Sequence, residues 1–421
     1  MTAFDLQTPL LDNGLRHVFF FNGRLLTAGD LKREQDARRL ADMRLGTACG
    51  EGIVRGLEVT VDPDSSVGNP IVAIAPGTAV SRAGQVLVLD KPTAIAIASQ
   101  ARAGSLADSG FGPCSPTAQG TYIAGAGLYL LTIAPAGSKE GKVPTSGLEL
   151  YGGGCNTDVL VDTVQIRRLS LDSELGDLAS TDEQWLRSQV AWRCFGIEAQ
   201  QGFAANAYGP VLDGWGVADR LRPDTLTPCE VPLAVIYWTA DGLRFIDMWA
   251  ARRRLTDRRM EGHALGVWAG ERRRVEGEAL WLQFQSQLDD IVAAGQLAGF
   301  SAKAHLRFLP AAGLLPVALS APESGFDPGQ FFAGLDVGSS IDMDASRLPS
   351  LLTESFEHAP IDLSNPPPLR LYRIHENRVA SEAGQRPQAV LVFASCALRF
   401  AGNARFNYAT WDHDHFADTR F

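Results

Sequence analysis

Few residues in this chain are spaced for chemistry. The densest group is Asp412-His413-Asp414-His415, with Asp418 close by. On an extended strand, side chains two apart share a face, so His413 and His415 could ligate one metal ion together. Spacing fixes no third ligand, and a solvated polar tail or interface segment is the simpler reading of a terminal stretch. Gly152-Gly153-Gly154 lacks the Lys-Ser/Thr of a phosphate loop and the spacing of a dinucleotide fingerprint, so it reads as a turn. Gly50-x-Gly52 is followed by a strand pattern where a phosphate site needs a helix. There is no G-x-S-x-G elbow for an α/β-hydrolase serine.

The six cysteines, Cys49, Cys114, Cys155, Cys194, Cys229 and Cys396, form no CxxC pair. A closed zinc site on that spacing is not expected, and scattered cysteines in a long chain read as reduced, mostly buried thiols. Of the eight tryptophans, Trp238, Trp249, Trp268 and Trp281 have the neighbours of core or interface anchors, with a sugar platform as the alternative. Glycosidase carboxylate pairs have no local signature. The expectation is therefore no enzyme, no cofactor and no metal. An enzyme with a site assembled from distant residues stays as a minor alternative.

The elements that would position such groups belong to an ordinary globular chain. At 421 residues there is length for several domains, and 45% apolar with 20% charged residues supports large cores. With 42 glycines and 23 prolines, many turns and short strands are favoured over helical bundles. A net charge of -10 argues against general nucleic-acid binding, which needs a basic face. Two arginine clusters depart from that balance: Arg252, Arg253, Arg254, Arg258 and Arg259, then Arg272, Arg273 and Arg274. The 252–259 run reads as a solvated helix face or as intersubunit ion pairs. Neither a secretory leader nor an apolar run long enough to span a membrane is seen, so cytoplasmic folding is expected.

Patterning predicts an α+β, multidomain chain of mostly short antiparallel strands, in sandwich or barrel-like units, with a few helices. An arm over residues 1–17 precedes a helix plus small β-domain over 18–98. A mixed β-rich middle domain covers 99–260, and an α+β C-terminal domain covers 261–421. Val18–Phe21 reads as a strand before the Asn22-Gly23 turn, and Thr27 with Asp30 caps a helix from Ala28 to about Leu45. Leu57, Val59 and Val61, then Ile71, Ala73 and Ala75, alternate as half-buried strands. Ala79–Ser81 and Val86–Leu89 read as a hairpin, and Ala94–Ala98 as a further strand. Gly127–Ala134 is a buried strand, Lys139–Cys155 a loop, and Val159–Leu171 a strand pair or one long strand.

Asp182–Cys194 reads as a helix capped by Ser180 or Thr181, and 196–228 as irregular. Val231–Trp238 and Leu243–Met248 flank an Asp-Gly hairpin turn. Helices are predicted over Ala250–Arg259 and Glu271–Ala294, the second with Leu280, Phe284, Leu288 and Ile291 in one stripe. Ala304–Leu309 reads as β. Short helices are expected in Pro328–Gly338 and Asp344–Ser355, and strands at Leu369–Arg373, Ala389–Ser395 and Ala404–Tyr408.

Three segments carry a resemblance. They are Phe20-Phe21-Asn22-Gly23-Arg24-Leu25-Leu26-Thr27-Ala28-Gly29-Asp30-Leu31 with its helix, Gly52-Ile53-Val54-Arg55-Gly56-Leu57-Glu58-Val59, and Ile74 to Leu87 around Pro76-Gly77. This order of FNG-x-LLTA-x-D, a helix, a GLEV strand and a PG turn resembles structural proteins from phage-tail-like contractile injection system gene clusters. Similar β-units occur in phage baseplate and fibre proteins. The resemblance covers roughly residues 18–95. It implies a structural component near a baseplate, fibre or outer surface, assembled in the cytoplasm and carried in a cell-associated or extracellular particle. It also implies contacts with copies of itself and with other particle subunits, but no catalytic residues. Phe20, Phe21, Leu25, Leu26 and Leu31 are the residues expected at the assembly interface. A surface module that binds a receptor or glycan is the alternative.

Overall fold

Alternation of small apolar residues builds the first unit. The computed structural model describes residues 14–97, 127–144, 155–175, 178, 182–205, 216–222, 224–256, 270–316, 326–375 and 389–398. Helix α1 (Ala28–Cys49) leads into β1 (Gly52–Gly56), β2 (Val59–Val61), β3 (Ile71–Ile74), β4 (Gly77–Val80), β5 (Val86–Leu89) and β6 (Thr93–Ala96). These strands form two antiparallel sheets, ordered β1-β4-β5 and β2-β3-β6. The chain changes sheet at Gly56 and Leu57, both left-handed with φ of 64° and 61°. A Cβ on Gly56 would lie 1.9 Å from the Pro76 carbonyl oxygen, so only glycine fits. Leu57 is fully buried, and that burial offsets a left-handed strain of about 1–2 kcal/mol.

The central sheet explains the uninterrupted apolar run GLYLLTIA. It contains β7 (Gly127–Pro144), β8 (Cys155–Ser170), β9 (Val231–Thr239) and β10 (Gly242–Asp247), ordered β10-β9-β7-β8 and antiparallel throughout. Short helices α2 (Asp172–Leu175), α4 (Ile197–Ala205) and α5 (Val217–Arg220) and the longer α3 (Glu183–Phe195) lie between β8 and β9 in sequence. Tyr129, Leu131 and Ile133 join the core under the first unit, with Leu57, Val72 and Ile74. Leu128 and Leu130 join a second core with Val190 and Trp192 of α3. A strand covered on both faces has no polar side to display, so its sequence does not alternate.

After α6 (Met248–Ala251), helix α7 (Glu271–Ala293) ties that second core to a third. Its Ala279 and Leu280 belong to the second, and Phe284, Leu288 and Ile291 to the third. The stripe is the predicted one, shared between two cores along its length. Beyond it come α8 (Ala302–His305), β11 (Phe308–Leu309), β12 (Ala312–Leu315), α9 (Pro328–Phe331), β13 (Val337–Asp344), α10 (Leu348–Ser355), β14 (Ile361–Asp362), β15 (Leu369–His375) and β16 (Ala389–Ser395). The last sheet is ordered β12-β16-β15-β13, with β13 parallel to β15 and the other pairs antiparallel. The chain is thus α+β, with several small sheets. Among the described residues no sheet closes into a barrel, and no helix is long and apolar enough to cross a membrane.

Several local readings need correction. Val18–Phe21 is not a strand; its backbone is held by the side chains of Arg24 and of Glu34 in the following helix rather than by a neighbouring strand. The expected loop over Lys139–Cys155 is in its described parts a continuation of β7 and β8, with Glu140 paired to Val159 and Pro144 to Cys155. The cap of α3 is Asp182, which accepts from the Gln184 and Trp185 amides. The helix over Ala250–Arg259 stops at Ala251, because the following residues turn extended and bridge β1, Arg254 to Ile53 and Thr256 to Glu51. Residues 304–309 divide between the end of α8 and β11. Pro328–Gly338 is helical only to Phe331 before β13 begins. The stretch expected to be irregular over 196–228 contains α4 and α5.

Cys229 is disulfide-bonded, against the expectation of reduced thiols. Cys49 and Cys155 are free and exposed, and Cys194 is free and buried. The Ala404–Tyr408 strand, Arg258, Arg259, Trp268, the arm over 1–13, the Gly152–Gly154 turn and the His413/His415 pair all lie outside the described residues.

Candidate assembly surface

The Asn22-Gly23 turn reverses the chain so that residues 14–27 form a strap along the first half of α1. Gly23 takes φ 92°, as the turn requires. A capping box closes the helix start: the Asp30 amide donates to Thr27 Oγ1 at 3.2 Å, and the Thr27 amide donates to Asp30 Oδ2 at 3.1 Å. Arg24 ties strap to helix, with Nη2 donating to Asp30 Oδ1 at 2.7 Å and Nη1 to the Phe19 carbonyl at 2.8 Å. The Val18 amide donates to Glu34 Oε2 at 3.2 Å. Hydrogen bonds from the Thr27 side chain and backbone, and then from Arg24, lower the Asp30 pKa from 3.8 to about 2.

α1 meets the body through its second half. Gly46 packs backbone to backbone on Gly84 in the β4–β5 turn; a Cβ on Gly46 would sit 2.1 Å from the Gly84 oxygen. Arg39 pairs with Asp162 of β8 at 3.2 Å. Asp30, Glu34 and Ala37 lie within about 60° of one another around the helix, on the strap side. Arg39, Met43 and Gly46 lie on the far side. Strap and body therefore hold opposite faces and opposite ends of α1, and the strap end forms a tip.

All five expected interface residues meet at that tip. Leu25 is 90% exposed, and Phe20, Phe21, Leu26 and Leu31 are each more than half exposed. Phe19 belongs with them at 77% exposure, its ring 6.3 Å from that of Phe21. Phe19 is not among the residues expected at the interface; the tandem of three Phe is the available signal. Burying side chains of this size yields about 1.5–3 kcal/mol each, a gain forgone while they face water.

Known proteins add little to this geometry. No family model matches the sequence, and no curated protein matches it. A chain of the crystal structure of TssK overlaps it in part. That overlap covers 48% of this chain and 51% of the TssK chain, at 10% identity and a TM-score of 0.22. This chain thus spans about half the length of the TssK chain. A partial overlap at that TM-score determines neither fold nor function here.

The other candidate residues that are described have structural contacts within the chain. Among the described residues of the arginine run, Arg252 and Arg253 are not on a solvated helix face. Arg252 is buried and donates to the carbonyls of Leu57 and Gly56, and Arg253 lies over the Phe195 ring at 4.4 Å. Arg272 pairs with Asp219 at 2.5 Å and with Glu276 at 3.1 Å, and these carboxylates raise its pKa against the cost of burial. Trp238 packs against the first core, Trp249 lies under Arg252, and Trp281 meets Phe356 edge-on. Among the described residues no three of His, Cys, Asp or Glu gather where a metal ion could be held.

Proposed function

We propose that this chain is a structural subunit that docks onto neighbouring chains through the α1 tip. In this reading it belongs to a phage-tail-like contractile injection particle, contacts copies of itself and other particle subunits, assembles in the cytoplasm and has no catalytic centre of its own. The observation that carries the reading is the tip: six large apolar side chains displayed on the strap and the first turn of a helix that is anchored to the body only at its other end among the contacts described above. Large apolar side chains grouped in water mark a surface that a partner covers. The resemblance of residues 18–95 supports the particle assignment.

The test is a triple variant, Phe20→Ser, Leu25→Ser and Leu26→Ser, followed by light scattering and negative-stain imaging. The wild-type chain should associate with concentration. The variant should stay near 45 kDa with an unchanged urea midpoint, because these side chains are already in water. A variant that assembles like the wild type overturns the reading.

A further inference from the structure

Helix α1 has a face that neither the strap nor the body covers. Its 22 residues span about 33 Å, yet only Asp30, Ala37 and Gly46 are buried. At about 100° per residue, Leu31, Gln35, Arg38, Asp42, Leu45 and Cys49 fall within an arc of about 80°. All six are exposed, Leu31 and Leu45 by more than half. The strap bounds this arc on one side, at Glu34, and the body bounds it on the other, at Arg39 and Gly46. Among the described residues Arg38 and Asp42 have no hydrogen bond or ion pair, and Cys49 is a free thiol.

These six residues alternate four and three apart, the spacing of a seam between paired helices. Leu31, Arg38 and Leu45 take one seam position, and Gln35, Asp42 and Cys49 take the other. Parallel pairing of two copies would set Arg38 beside the partner's Arg38 and Asp42 beside the partner's Asp42. Antiparallel pairing sets each seam position against the other kind. One register then matches every charge: Arg38 faces the partner's Asp42, and Asp42 faces the partner's Arg38. The same register sets Leu45 against the partner's Gln35 and Leu31 against the partner's Cys49, so no leucine meets a charge. A shift of one heptad either way sets Asp42 against the partner's Leu31 or the partner's Leu45 and shortens the overlap.

We propose that α1 pairs antiparallel with α1 of a second copy of this chain across this face. The contact is two-fold and self-complementary, so it closes as a dimer. Arg38 and Asp42 fix direction and register, and the leucines supply burial at both ends of the seam. Ala41 and Ala48, on the flank of the seam, are small enough to let the two helices approach. The inference rests on reading the chain as an assembling subunit, and it names the first partner and the face that meets it. Leu31 belongs to both surfaces. Phe19 to Leu26 precede the paired stretch and stay available to other subunits.

Charge reversal tests it on the full chain. Arg38→Asp sets carboxylate against carboxylate at both central contacts, and Asp42→Arg sets guanidinium against guanidinium. Each alone should raise the dimer dissociation constant about tenfold in sedimentation equilibrium, the effect of two like-charge contacts. The double variant, Arg38→Asp with Asp42→Arg, restores both pairs and should associate like the wild type. An equimolar mixture of the two single variants should do the same, and recovery also shows that the variants fold. Separately, Leu31→Cys treated with diamide should give an interchain disulfide to Cys49 of the partner subunit, located by peptide mass. Single variants that dimerise like the wild type, a double variant or mixture that stays monomeric, or a link from Cys49 to the partner's Cys49 in place of that one overturns the inference. If the charge variants associate normally and the Phe20→Ser, Leu25→Ser, Leu26→Ser variant does not, helix pairing fails and the tip reading stands. If only the charge variants lose association, the tip reading fails and helix pairing stands.

Discussion

The Arg252 guanidinium donates to the Leu57 carbonyl at 2.8 Å, joining positions 195 apart in sequence, and Leu57 is held there in a left-handed conformation. The second Nη of Arg252 donates to the Gly56 carbonyl, so both peptide groups at the crossing between the two small sheets are satisfied by one buried side chain. Burial lowers the pKa of Arg252, and the nearby Glu58 opposes that shift. The arginine thus pins the first unit to the segment that follows β10.

Replacing Arg252 with Met keeps the length and removes the donors. Two buried carbonyls then lose their partners, at about 1–3 kcal/mol for each group left unsatisfied. The expected outcome is a lower urea midpoint with an unchanged slope. A loss under about 0.5 kcal/mol would mean that water or another donor replaces the guanidinium.

Gly84 seats the helix. A Cβ there would lie 1.9 Å from the Met43 carbonyl oxygen, and its φ is 82°. Gly84→Val should push α1 off the β4–β5 turn, at about 1–3 kcal/mol. Hydrogen exchange should then accelerate through residues 39–49, with the core strand β7 unaffected.

The helix start has its own pH dependence. Asp30 titrates at about 2 in the folded chain against 3.8 ordinarily. A lowered carboxylate pKa contributes stability that is complete above 3.8 and is lost as pH falls towards 2. The strap should therefore stay attached to α1 at pH 5 and release only in strong acid. Thr27→Ala should cost the helix about 1 kcal/mol and move that release to higher pH. Carboxyl chemical shifts of Asp30, followed with pH in both proteins, check the sign.

Local physics made much of this legible in the sequence. Thr27 and Asp30 specify a capping box from side chains three apart, Thr239 to Gly242 specify a hairpin turn, and the α7 stripe specifies a buried face. Each of these depends on neighbours within one or two turns of chain. The five residues expected at an interface, Phe20, Phe21, Leu25, Leu26 and Leu31, lie exposed at the strap and helix start, and their burial by a partner is the proposal made above.

What the sequence could not show depends on groups far apart along the chain. The Arg252–Arg254 run has the composition of a solvated helix, yet its first member enters the interior because the Gly56 and Leu57 carbonyls, on a distant crossing, need a donor. Val18–Phe21 has strand composition, but a strand also needs a partner, and here Arg24 and Glu34 take its backbone groups first. The outer half of β7 was hidden for a converse reason: Gly, Lys and Glu have low strand propensity, and only the register with Cys155–Val161 of β8 pairs them as a strand. Side-chain type and spacing determined caps, turns and stripes. The tertiary structure decided which polar groups were buried and which apolar ones were left in water, because burial belongs to the whole packing and not to any window of sequence.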